Sequence, residues 1–139
     1  MTAALTPPLA LDFVTALSAD IRAAVIFDHE GALRAGPESL AAPARALLAT
    51  APGAHQLEGA TPQGAAYAAR DSRHAIVVVT GRFALPRLTR HDLRSALSAL
   101  GGESASEEPP AHAPAPVVRA LVEAADEDFR RPRAVSQSD

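Results

Sequence analysis

Ala75-Ile76-Val77-Val78-Val79-Thr80 is the stretch on which the fold turns. It is β-branched nearly throughout, the composition that suits a pleated, packed backbone. It predicts the strongest strand of the chain, one that belongs in the interior of the sheet. Upstream, Ile21, Ala23, Val25 and Phe27 alternate onto one face of a second such strand, while Ala24 and Ile26 keep the other face apolar too. Asp28-His29-Glu30-Gly31 is a turn ending in Gly, after which Ala32-Leu33-Arg34-Ala35 returns as a short strand. Between these lie two weaker strands, Ala54–Glu58 and Gly64–Arg70. The second is Ala-rich, but Pro62, Gly64 and the turn Asp71-Ser72-Arg73 leave it too short for a helix.

Helical spacing surrounds these strands. Leu9, Phe13 and Leu17, with Ala10 and Ala16, predict a first helix with one apolar face. Gly36-Pro37-Glu38 opens a second, with Leu40, Leu47 and Leu48 on its apolar face. Pro43 either kinks that helix or marks its true start. Pro86 starts a third, running to Leu100 with Thr89, Leu93, Ala96, Leu97 and Leu100 on one side, and Gly101-Gly102 stops it. The order α-β-β-α-β-β-β-α predicts an α+β, profilin-like sandwich: one antiparallel five-stranded sheet with helices on both faces.

Composition shifts divide the chain into a tail at 1–8, a domain at 9–100, a linker at 101–115 and a last amphipathic segment at 116–130, with a tail at 131–139. The linker, GGESASEEPPAHAPA, has no large apolar residue and is expected to be disordered. In the amphipathic segment, Val117, Val118, Leu121, Val122, Ala125 and Phe129 recur at helical spacing, and Glu123, Asp126, Glu127 and Asp128 make the other face acidic. So short a helix is marginal in water and is expected to dock on its own domain, on a second subunit or on another protein.

The 139 residues contain no Cys, Lys or Asn, and 4% are aromatic. That removes disulfides, thiolate nucleophiles, Cys-ligated metals, Schiff bases and a P-loop lysine. A formal charge of −3 argues against nucleic acid as a partner. The N-terminus lacks the basic start of a signal peptide, and no apolar run approaches the roughly 20 residues that cross a bilayer. The chain therefore reads as cytoplasmic, with no membrane insertion.

The opening Leu-Asp-Phe-Val-Thr-Ala-Leu at 11–17, the hairpin Ala-Ala-Val-Ile-Phe-Asp-His-Glu-Gly at 23–31, and Arg-Phe-Ala-Leu at 82–85 leading to Asp-Leu-Arg-Ser-Ala-Leu at 92–97 together resemble the roadblock (dynein light chain) family in its bacterial form. The resemblance covers about 9–100 and rests on shape and hydrophobicity, with no catalytic signature. It implies a non-catalytic regulator or scaffold. It also implies a homodimer in which an edge strand pairs across a two-fold axis beside the middle helix, and a protein partner such as a small Ras-like GTPase. Carried onto this chain, the dimer interface is Leu40, Ala44, Leu47 and Leu48 of the middle helix with His55, Gln56, Leu57 and Glu58 of the strand. Pro43, the poor β-formers at 54–58 and the segment beyond 100 depart from the family pattern.

The remaining residues supply partner-binding candidates and little chemistry. Arg87, Arg90 and Arg94 form a stripe on the third helix, and Val118, Leu121, Val122 and Phe129 form the apolar face of the last. Both are expected to meet a protein partner. The five histidines lack metal-ligand spacing, so no metal and no cofactor are expected. Asp71, Ser72 and His74 carry the residue types of a hydrolase triad but sit in a tight turn, so no catalytic residue is expected. The alternative function is a small-molecule sensor, with Ala65, Ala66, Ala68 and Ala69 leaving room beneath a helix.

Overall fold

The computed structural model describes residues 6–17, 20–101 and 109–130. Helix α1 spans Pro7–Leu17, followed by strands β1 (Ile21–Asp28) and β2 (Leu33–Ala35). A 3₁₀ turn at Glu38–Leu40 leads into α2 (Ala41–Ala49). Strands β3 (Gln56–Thr61), β4 (Gly64–Arg70) and β5 (His74–Thr80) come next, then α3 (Pro86–Ala99). The chain ends in a two-residue strand, β6 (Ala111–His112), and helix α4 (Ala115–Arg130).

The sheet order is β2-β1-β5-β4-β3-β6. Every pairing is antiparallel except that of β6 with β3, which is parallel. The expected five-stranded antiparallel sheet thus carries a sixth, parallel strand, drawn from what the composition marks as linker. Residues 109–115 are strand, connection and helix start; 102–108 lie outside the described residues, as do the tail at 131–139 and residues 1–5.

The two central strands are buried on both sides, as their unbroken apolar runs require. Ala23, Val25 and Phe27 of β1 and Ala75, Val77 and Val79 of β5 face one layer, built by α2 and α4. Ala24, Ile26, Ile76 and Val78 face the other, built by α1 and α3. The alanines of β4 serve close packing: Ala66 and Ala68 join the first layer, Ala65 and Ala69 the second, and each is at most 5% exposed. The alanines that a sensor would place beneath a helix are covered by helices on both faces of the sheet. A Cβ on Gly64 would lie 2.6 Å from the Thr80 carbonyl oxygen.

Two local readings are corrected, and the alternative left open at Pro43 is decided for the helix start. Ile21 packs with Ala24 and Ile26, not with Ala23 and Val25, because a bulge between Ile21 and Ala23 inserts an extra residue against β5. In α1 the inward residues are Ala10 and Val14, both 0% exposed, whereas Leu9 and Phe13 are 54% and 39% exposed. The smaller side chains let α1 lie close against β1 and α3. Pro43 sits in the first turn of α2, where a missing N–H costs nothing.

Turns fix the ends. The Asp28 carboxylate accepts hydrogen bonds from the N–H groups of Glu30 (2.9 Å) and Ala32 (3.0 Å), and Gly31 adopts φ +84°. This is a hairpin loop closed by a left-handed residue, for which Gly is the default. After α2, the Arg70 guanidinium donates to the carbonyls of Leu48, Ala51 and Ala54. One side chain therefore satisfies a carbonyl of the last turn of α2 and two more in the loop beyond it.

Candidate functional site

The sheet edge at β3 is where the resemblance puts a second subunit, and here the chain's own C-terminal segment covers it. Leu57 and Glu58 pair with Ala111 and His112, and the Ala113 N–H donates to the Glu58 carbonyl at 2.9 Å. Helix α4 then lies beside α2, burying Val118, Leu121, Val122 and Ala125 to 1% exposure or less. A Cβ on Gly59 would lie 2.6 Å from Cγ2 of Val118, so Gly at this position is what lets α4 come down onto the strand. Polar ties close the contact. Arg22, aimed outward by the bulge in β1, meets Asp126 at 2.6 Å, and the Ser39 hydroxyl donates to Asp128 at 3.4 Å.

The expected interface residues are therefore used differently. Leu40, Ala44, Leu47 and Leu57 are inside this chain's own core, at 1% exposure or less, and Leu48 is half-buried against it. Gln56 is buried and His55 exposed. The Glu58 carboxylate turns to the other face and pairs with Arg90 at 2.6 Å. Burial, and after it the Glu58 charge, holds the Tyr67 phenol above its ordinary pKa. The expected partner-binding face of the last helix is corrected in the same way. Val118, Leu121 and Val122 are consumed by the sheet, because the nearest apolar surface to a tethered amphipathic helix is its own domain's. The side chain of Phe129 lies outside the described residues.

On α3 the arginine stripe separates into three situations. Arg87 is exposed, Arg90 is half-buried on Glu58, and Arg94 is half-buried with a buried Nε that has no hydrogen-bond partner. What the stripe reading missed lies just ahead of it. Phe83 is 74% exposed, Leu85 65% and Leu88 52%. The signal was present in Arg82-Phe83-Ala84-Leu85, whose apolar residues precede the helix and share no face with Leu93 and Leu97.

Arg82 and Phe83 also form one wall of a cleft of about 680 Å³, with Asp20, Ile21 and Arg22 of the β1 start, Pro62 and Gln63 of the β3–β4 turn, and Asp126 and Arg130 of α4. The Arg82 guanidinium lies 4.8 Å from the Phe83 ring centroid, a cation–π contact that holds both side chains at the cleft mouth.

The residues with chemistry to offer remain apart. Among the described residues, no group of three His, Asp or Glu side chains converges as a metal site would need. Hydrogen bonds from Ala32 first and from Glu30 also, together with the Arg34 charge, hold the Asp28 carboxyl below its ordinary pKa, so it acts as a turn former. Asp71 likewise accepts from the N–H groups of Arg73 (2.8 Å) and His74 (2.9 Å), and Ser72 is exposed on the turn. Among the described residues, no helix is long and apolar enough to cross a membrane.

No protein-family model matches the chain, and no curated protein does. Its likeness is to solved structures. A Roadblock/LC7 domain from Streptomyces avermitilis superposes with a TM-score of 0.59 at 14% identity, covering 71% of this chain and 96% of that one. A second structure of a Roadblock/LC7 domain from the same organism gives 0.55 at 17% identity, over 65% of this chain and 93% of that one. Nearly all of each neighbour is thus matched, while a substantial part of this chain extends beyond the match. The fold of this chain, read from its element order and sheet and seen in these neighbours, is the bacterial Roadblock/LC7 fold.

Proposed function

We propose that this chain is a non-catalytic regulatory or scaffold protein of the cytoplasm, acting through protein contacts as a homodimer, with a small Ras-like GTPase as its partner class. The observation that supports this reading is the state of the β3 edge. It takes up an added strand at Leu57 and Glu58, so it is an edge competent for strand addition. Pairing with a second copy at this edge requires residues 109–130 to leave it. Exchange of that segment between two copies is the route that preserves its contacts, since each α4 then docks on the other copy's β3 and α2. Such an exchanged dimer buries Leu40, Ala44, Leu47 and Leu57 beneath α4 of the second copy, in place of the strand-to-strand pairing that the resemblance implies.

The test is light scattering on the full chain, followed by calorimetric titration with a small Ras-like GTPase in its GDP and GTP forms. The expected result is a dimer mass and saturable binding that differs between the nucleotide states. A strictly monomeric mass, with no binding in either state, overturns the reading.

A further inference from the structure

Residues 81–91, GRFALPRLTRH, differ in character from the rest of the surface. They contain Arg82, Arg87, Arg90 and His91 and no acidic residue, in a chain whose formal charge is −3. They also hold three of the five exposed large apolar side chains among the described residues: Phe83, Leu85 and Leu88, at 74%, 65% and 52%. Three such residues fall within six positions, a concentration unlike the scattered apolar residues that any surface shows. Phe and Arg are enriched at the centres of protein interfaces, and here Arg82 is stacked on Phe83 at the mouth of a recess. The recess continues the patch inward: Gln63, Arg22 and Arg130 line it beyond Phe83, and Arg22 is already paired with Asp126.

We propose that this surface docks an acidic segment of a partner protein carrying apolar anchors. Those anchors pack on Phe83, Leu85 and Leu88, and its carboxylates turn toward Arg82, Arg87 and Arg130. The sign follows from the local excess of arginine, and the form of the partner follows from the shape. A cleft of about 680 Å³ admits side chains of a peptide segment, whereas a flat bilayer cannot enter it. Asp20 and Asp126 in the cleft wall also disfavour a uniformly anionic lipid surface. A second copy of this chain fits poorly, since the apolar face of its acidic helix α4 is already buried in its own core at Val118, Leu121 and Val122, leaving no apolar anchors beside those carboxylates. That contact would join unlike surfaces and would not close. The proposal rests on the reading that the chain acts through protein contacts, but it uses a surface separate from the β3 edge.

The probe is a fluorescein-labelled amphipathic peptide of Leu and Glu, set against the same peptide with Lys in place of Glu and against phosphatidylglycerol vesicles. The full chain is titrated by anisotropy, and the contact is mapped by amide chemical shifts. The expected result is saturable binding of the Glu peptide alone, weakening as salt rises, with shifts centred on 81–91. Phe83→Ser and Arg82→Glu each weaken that binding about tenfold or more, the loss typical of a central interface residue. Urea unfolding of both variants shows that they remain folded.

No binding of the Glu peptide, equal binding of the Lys peptide, preferential vesicle binding, shifts on β3 and α2, or an unaltered affinity in Phe83→Ser each overturn the proposal. The GTPase titration run on the same variants separates the two readings. GTPase binding untouched by Phe83→Ser and Arg82→Glu, with no peptide binding, removes the patch and leaves the proposed function standing. Peptide binding without GTPase binding does the reverse.

Discussion

Two stretches of this chain mix apolar and charged residues in similar proportion, and the fold treats them oppositely. In α4, Val118, Leu121, Val122 and Ala125 are sealed against the sheet. In the approach to α3, Phe83, Leu85 and Leu88 stand in water. The difference is geometric. The α4 residues fall on one stripe of a helix that can lie flat over β3 and β4, so each adds buried area to a shared core. Phe83 and Leu85 lie in the non-helical connection before Pro86, and Leu88 falls in the first turn, off the Leu93–Leu97 stripe. An apolar residue therefore reports burial only when its neighbours at helical or strand spacing bring it to the same face.

Substitutions break or sharpen this contrast. The largest effect is expected from Leu121→Ala, which empties a fully buried site between α4 and the sheet. A loss of about 2–5 kcal/mol in urea denaturation is expected. Gly59→Ala attacks the same contact from the strand side, pushing a methyl into Val118. Overpacking of this kind costs about 1–3 kcal/mol, and hydrogen exchange should quicken at 111–113 and along α4 before the β1–β5 centre responds. Asp126→Asn removes the charge of a partly exposed pair with Arg22. The expected loss is about 0.2–1 kcal/mol, shrinking as salt is added. Phe83→Ser closes the series: for so exposed a residue, stability is expected to stay within about 0.5 kcal/mol of the parent, while partner binding falls. A large stability loss in Phe83→Ser would erase the distinction between the two stretches.

How much of this was legible follows from the same physics. The central strands at 21–28 and 74–80 were readable because β-branched, unbroken apolar runs have few other homes. The three helices of the domain were readable from spacing and from Pro and Gly at their ends. The rotation of α1 was missed: Ala10 was placed on the apolar face, but with the larger Leu9 and Phe13 rather than with Val14, which close packing selects. Strand β6 was invisible: Ala111 and His112 have no strand propensity of their own, and only the unpaired groups of β3 make them a strand. The placement of α4 on its own domain was one of three destinations open to an amphipathic helix, and no pattern within the helix chooses among them. The exposed patch was readable in part through its arginines, but its apolar half was hidden among residues that also fit a strand-to-helix connection.

The two ends of the sheet carry a consequence for behaviour in concentrated solution. One margin is a strand of three residues, β2, and the other a strand of two, β6. A stray extended chain arriving at either margin finds too short a ladder to grow on, which is how natural sheets avoid runaway stacking. The folded protein is expected to remain free of cross-β fibres on prolonged storage. Loss of the C-terminal segment would free Leu57 and Glu58, leave the six-residue β3 as the margin and turn a quiet edge into a template.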